Sequence, residues 1–390
     1  MRKLLLIFCL FGILNSCQER KDSFAGIYEV NVTNKENLSG TLEIVGEPED
    51  YFGRITFQGK RTRTFPIGLT FKSKDSLSFL LAGGGYLRLK KQVELWSGNF
   101  KYFGLEFSIE AKRTGNVSQE LERLIQLKPL AKKTLSTDQD ETFPCYDSNS
   151  QTLYFTRDGK IFQSTESSEG SWSKPKMLSF FQESNNSAPY LFNNGKSMLF
   201  TSNRKLPNAM KKKKNLWIVN KDSLGNWLEP DPLPSPVNID SLGEYHAAIS
   251  EKGNVFFVSY NRKGGFGKSD LYKGIPKENG YSVENLGKVI NTKNSEADAF
   301  IHPSEKYVLF ASTNREDSLG EDDIYISFQQ DGVWSTPQNM GAKVNSFAYD
   351  YGAWIDSKEE YFYFNSYRRG SSDLYRVPLK DIPVFQTSKE

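Results

Sequence analysis

Between Phe24 and Arg113 apolar and polar residues alternate in short runs. Tyr28, Val30 and Val32 do so, then Leu42 and Ile44, Ile55 and Phe57, Leu87 and Leu89, and most cleanly Phe103, Leu105, Phe107 and Ile109. A period of two buries one face of each strand and wets the other, as in antiparallel meanders and barrels. About eight short strands with glycine-marked turns predict a small antiparallel β-barrel over residues 24–113, its core filled by side chains. Ser118 is placed to cap a short helix reaching Leu127, with Leu121, Leu124 and Ile125 on one side, so residues 114–128 read as a helical linker.

Further on, the pattern becomes a long repeat. An acid is followed by two residues, Pro or Ala, a short strand, a turn, an aromatic strand and then Arg. Full copies continue to an Asp and an aliphatic-Tyr pair. Glu296 leads through Ala299 and Leu309-Phe310 to Arg315 and Asp323-Ile324-Tyr325. Asp350 leads through Ala353 and Tyr363-Phe364 to Arg368 and Asp373-Leu374-Tyr375, and Glu244 through Ala247 and Phe256-Phe257 to Arg262 and Asp270-Leu271-Tyr272. Weaker copies begin at Asn186, reaching Arg204, and at Glu141, reaching Arg157; they carry Asn215 and Lys160 where the others have Asp. A period near 50 with several strands per unit predicts propeller blades. Turns such as Asn194-Gly195 and Lys252-Gly253 separate the first two strands. A Trp-x-x-Pro element (Trp172 with Pro175, Trp227 with Pro230, Trp334 with Pro337) precedes a fourth, edge strand that tolerates proline.

These units resemble the PD40 (WD40-like) repeat of TolB-type β-propellers over about Glu141 to Val377, and the first β region is similar to a lipocalin-like barrel. The expected fold is all-β: the barrel, then a propeller over residues 129–380 and a tail at 381–390. Five copies give five blades; six is the alternative, common among TolB relatives. The last copy stops after its third strand near Val377. Pro129 to Ser136 resembles the fourth-strand segment Gln338 to Ser346, so an N-terminal strand is expected to close the ring and remove its exposed edge.

The N-terminus reads as an export signal. Arg2 and Lys3 precede an apolar run from Leu4 to Leu14, shorter than the roughly 20 residues that span a bilayer. Leu14-Asn15-Ser16-Cys17 resembles the lipobox of bacterial lipoproteins. The resemblance implies a signal peptide over residues 1–16, a lipid on Cys17 and a tether at 17–23. Gln18 is not the Asp that retains such proteins at the inner membrane, which places the expected site at the outer membrane of a Gram-negative envelope. Of the three cysteines, Cys9 leaves with the signal, Cys17 is acylated and Cys145 reads as a small buried hydrophobe.

A net charge of +3 argues against a nucleic-acid partner. Lys211 to Lys214 read as a solvated loop tip. No Gly-x-Ser-x-Gly, His-Glu-x-x-His or Cys-x-x-Cys occurs, and Gly267-Lys268-Ser269 lacks the upstream glycine of a phosphate loop. With only His246 and His302, the channel histidines of propeller uronate lyases are missing too. No metal or cofactor is implied.

One constellation stands out. Glu141, Asn186, Glu244, Glu296 and Asp350 share one repeat position at the start of the inner strand, where blades converge. They form either an axial ligand-binding ring or struts paired with the repeat arginines Arg204, Arg262, Arg315 and Arg368. The second reading fits features present in nearly every blade; Asp270, Asp323 and Asp373 are taken as structural on the same ground. The expected function is binding of an envelope protein or peptide by a lipid-anchored propeller, without catalysis, or a scaffold role in which the barrel makes the contact. The alternative is a carbohydrate-active lyase or glycosidase using channel carboxylates. On the lipobox reading, labelled palmitate is incorporated into the wild type, whereas Cys17→Ala is unlabelled and soluble; equal labelling of both would exclude lipid at Cys17.

Overall fold

The computed structural model describes residues 24–33, 38–59, 62–178, 184–207 and 209–386. The signal region, Cys17 and the tether lie outside these residues.

Eight antiparallel strands, from Gly26–Thr33 to Leu105–Gly115, form a closed barrel in sequence order. The first pairs with the last, Val30 opposite Ala111 and Val32 opposite Ile109. Alternate residues such as Val30, Leu42, Ile55, Phe79, Leu87 and Ile109 fill the interior. The cleanest alternating stretch is not one strand. Phe103 and Gly104 make the tight turn of the last hairpin, both with positive φ (47° and 78°), so Phe103 and Leu105 lie exposed while Ile109 is buried. Alternation in sequence continued past the point where the core ended.

The helix spans Gln119–Arg123 and runs into a 3-10 turn at Leu124–Gln126; the Ser118 hydroxyl accepts a bond from the Leu121 N–H at 3.4 Å. Leu121 and Leu124 are wedged among Val45 and Phe52 of the barrel and Phe347 and Ala348 of the following domain. Around this wedge Arg54 bonds Glu43 and Glu120 and lies over the Phe347 ring. Arg369 pairs with Asp50 at 2.7 Å and rests 3.9 Å from the Phe52 ring centre. At Gly68 the barrel backbone comes so close that a Cβ would sit 1.6 Å from the Arg369 carbonyl oxygen, so no other residue fits.

The second domain is a propeller of five antiparallel sheets. Its inner strands are Glu141–Asp147, Asn186–Phe192, Glu244–Ile249, Glu296–Ile301 and Asp350–Ile355. Second strands such as Val255–Tyr260 and Tyr307–Thr313 are almost wholly buried, which is why they read as continuous apolar runs. Fourth strands after Trp-x-x-Pro are only two residues long, as at Lys176–Met177, Asp231–Pro232 and Gln338–Asn339. Blade 3, without that element, has a full fourth strand at Gly280–Asn285.

Blade 5 has three strands of its own, and the segment before blade 1 completes it. The Leu130 N–H donates to the Leu374 carbonyl at 2.7 Å, matching the bonds from Leu233 to Leu216, Leu286 to Leu271 and Met340 to Ile324 in the preceding blades. The segment is not the ladder strand expected: Ala131 and Lys133 have positive φ, and it touches the blade at two points instead. The second point is Ser136, whose hydroxyl accepts from the Leu374 N–H at 3.2 Å. Ser136→Ala leaves that buried N–H unmatched and is expected to cost about 1–3 kcal/mol. A chain starting at Asp138, which loses both points, is expected to melt well below one starting at Ser118, as thermal denaturation would read directly; equal melting would mean that the ring closes otherwise.

Candidate functional site

The acids at the inner-strand starts do not face a channel mouth. Glu141, Glu244, Glu296 and Asp350 are each 0 % exposed. Each accepts a backbone N–H from the segment crossing between blades: Thr137 at 2.9 Å, Ile239 at 3.2 Å, Thr292 at 3.0 Å and Ser346 at 2.6 Å. Each also pairs with a repeat arginine: Arg157 at 2.7 Å, Arg262 at 3.3 Å, Arg315 at 3.4 Å and Arg368 at 2.7 Å. The same guanidinium reaches back to the crossing segment and donates to the carbonyl of Leu135, Val237, Ile290 or Val344, all fully buried. Burial pushes the Glu141, Glu244 and Glu296 carboxyls above their ordinary range despite these donors. Blade 2 departs from the pattern: Asn186 donates to the Ser184 carbonyl, and Arg204 lies 3.9 Å from Glu229.

Sequence reasoning missed the neighbouring amides. Asn238, Asn291 and Asn345 each accept from and donate to one third-strand residue, Leu216, Leu271 and Ile324, all at 2.8–2.9 Å. Ser136 takes this place in the closing segment. The signal was present as an aliphatic-Asn pair at Val237-Asn238, Ile290-Asn291 and Val344-Asn345. Asp270 and Asp323 accept loop N–H groups from Phe266 and Leu319, both at 2.6 Å, which fixes the loops between second and third strands. Asp373 follows the shorter loop 367–372 and sits beside that loop's Arg369, its carboxyl raised by burial.

What faces the axis lies two residues beyond each strut position. Phe143, Ala188, His246, Asp298 and Gly352 all have positive φ, between 50° and 68°, at a bulge in the inner strand. His246 pairs with Asp298, and the Phe143 ring lies 4.4 Å from the imidazole. Deeper in, Tyr190 meets Trp354 edge-on at 5.0 Å and Phe300 meets Trp354 at 5.5 Å. Tyr190 donates to the Ile301 carbonyl and Trp354 to that of Tyr146, both at 3.1 Å, so blades 1, 2, 4 and 5 hold the rings in place. These aromatics plug the channel.

Beyond the plug the axis opens into a bowl of about 880 Å³. Tyr190, Phe300 and Trp354 form its floor, and all five blades contribute walls, mostly from turns between first and second strands. Asn149, Asn193, Asn194, Ser357 and Lys358 are exposed at the rim. The wall acids are largely engaged. Asp356 accepts the Glu360 and Tyr361 N–H groups and the Ser148 hydroxyl, and Asp147 accepts from Asn149 and Ser150. Glu359 binds Lys306 and His302, each at 2.9 Å. Burial, with Lys306 nearby, lowers the His302 pKa, which keeps the imidazole neutral at pH 7.

No family model matches the chain, and no curated protein does. Solved structures resemble it at low identity. A putative TolB from Agrobacterium tumefaciens is 13% identical over 60% of this chain and 72% of its own, with a TM-score of 0.41. TolB from Acinetobacter baumannii is 13% identical over 90% and 63%, with a TM-score of 0.37. An endo-arabinase from Bacteroides thetaiotaomicron VPI-5482 is 12% identical over 65% and 96%, with a TM-score of 0.44.

The struts make a pH-dependent prediction. Arg315→Met strands Glu296 as a buried charge and is expected to cost about 3–5 kcal/mol at neutral pH. The Glu296 carboxyl already titrates above its ordinary range, so its favourable contribution is complete at low pH and lost as pH rises through the folded value. Removing the cation raises that value further. The stability deficit, from denaturant titration, therefore shrinks as pH falls from 8 to about 5; a deficit that grew on acidification would mean the pair is not the strut.

Proposed function

We propose that this chain is a lipid-anchored protein of the outer membrane whose propeller binds a partner protein or peptide in the axial bowl. The observation that carries this reading is the division of the axis: one end is filled by the bulge residues and the aromatic plug, and the other is an open concavity to which every blade contributes. Its volume lies in the range of ligand sites, which are apolar at the base with a few polar groups at the edge. Amide side chains such as Asn149 and Asn194 suit the hydrogen-bonding groups of a peptide backbone, while the aromatic floor suits an apolar side chain. Glycoside cleavage asks for two available carboxylates about 5–10 Å apart. Three of the four bowl acids, Asp147, Asp356 and Glu359, are instead engaged by their own turns and neighbours, and exposed Glu251 is the fourth, so a pair of available carboxylates is not in place, which favours binding over catalysis.

Capture from detergent-solubilised membranes, read by mass spectrometry, tests the proposal. Asn149→Trp with Ser357→Trp fills the rim at two exposed positions and is expected to abolish capture of the wild-type partner without lowering the melting temperature. Undiminished capture would move the working surface away from the bowl.

A further inference from the structure

The loops joining second to third strands form a face of the propeller distinct from the bowl. On blade 5 this face is occupied by the barrel: Arg369, four residues before Asp373, rests on Phe52. The same position on blade 3, four residues before Asp270, is Phe266, whose N–H is fixed to Asp270 and whose ring is 50 % exposed. On blade 2 it is Lys211, next to Met210, which is 95 % exposed. Lys211 to Lys214 and Lys205 on one loop, with Lys263 and Lys268 on the next, are all exposed. Neither residues 203–214 nor 261–268 contain an acid. Blades 2 and 3 are joined here, the Glu244 N–H donating to the Lys214 carbonyl and the Lys214 ammonium lying 5.8 Å from the Tyr245 ring centre. Exposed Glu229, 3.9 Å from Arg204, and exposed Asp240 are the acids that border these loops. A patch in which seven exposed lysines outnumber them, tipped with a methionine and a phenylalanine, has the composition of a surface that rests on anionic lipid.

The start of the described chain points to the same occupant. Phe24 packs on Tyr51, the neighbour of the Phe52 on which Arg369 rests, so the chain enters the barrel beside the propeller's loop face. From Cys17 to Phe24 the chain reaches at most about 25 Å. We propose that the second-to-third-strand loops of blades 2 and 3 dock on an anionic lipid bilayer, leaving the bowl turned away from it. The nearness of that bilayer rests on the lipid-anchored reading; the affinity of the patch does not.

The test uses the full chain carrying Cys17→Ser, so that no acyl chain contributes, and vesicles of phosphatidylcholine with or without about 30 mol% phosphatidylglycerol. Flotation is expected with the anionic vesicles alone, and to fall as salt is raised. Lys211→Glu with Lys213→Glu and Lys263→Glu is expected to weaken it by more than about tenfold. The same charge change at Lys174, Lys196 and Lys358, exposed at the bowl end of the propeller, is expected to leave most of the binding. Met210→Ser with Phe266→Ser keeps the charge and is expected to weaken flotation severalfold. All these positions are exposed, so an unchanged melting curve verifies folding. No flotation of the Cys17→Ser chain, or equal loss from both sets of lysine changes, would overturn the proposal. So would capture of an acidic protein by the patch without vesicle binding. Palmitate labelling of the wild type reads the anchor separately, so either idea can fail alone.

Discussion

A carboxylate sealed between blades, bonded on one side to the backbone of the crossing segment and on the other to an arginine, recurs at four of five repeat positions. Its arginine returns to the carbonyl of the crossing segment's buried aliphatic residue, so acid, arginine and backbone close a small polar circuit inside an apolar wall. Removing two charges from water is costly, and the raised glutamate pKa values show that burial outweighs the donors. What the circuit supplies is direction: it sets where each chain crossing ends and where the next inner strand begins. Everything nearer the axis, including the bulges and the aromatic plug, is positioned from those points.

Blade 2 varies the circuit in its residue type. Blade 2 has Asn186 in place of the acid, and its loop from Asn203 to Lys214 is the one that swells. The neighbouring blade still holds it through the Lys214 carbonyl.

The barrel and the blade count were legible because both rest on periodicity, two residues in one case and about fifty in the other. Arginine and acid at fixed offsets also declared themselves as partners. The channel was misjudged for a geometric reason: a bulge with left-handed residues intervenes between the strand start and the axis, and nothing in Phe143, Ala188, His246 or Asp298 announces a positive φ as glycine does. The bowl was illegible because its walls come from turn residues, Asn149 in blade 1 through Lys358 in blade 5, that share no motif and meet only when the ring closes. Ser136 was harder still. It stands in for an asparagine, so the match to Asn345 is one of hydrogen-bonding position, not of residue type.

Closure by Leu130 and Ser136 also dictates an order of events. The hydroxyl and its partner Leu374 are 238 residues apart in the chain. During synthesis the barrel is complete early, and the closing segment then waits while five blades accumulate behind it. Until the final strand emerges the ring is an open arc, with buried aromatic strands at one end and an unmatched segment at the other. Such distant pairings form slowly and leave aggregation-prone surface uncovered meanwhile. A chain clipped anywhere before Leu374 is not a propeller short of a piece; it has no closed state to reach. Loss of the last few per cent of the sequence should therefore be read by the cell as loss of the whole protein.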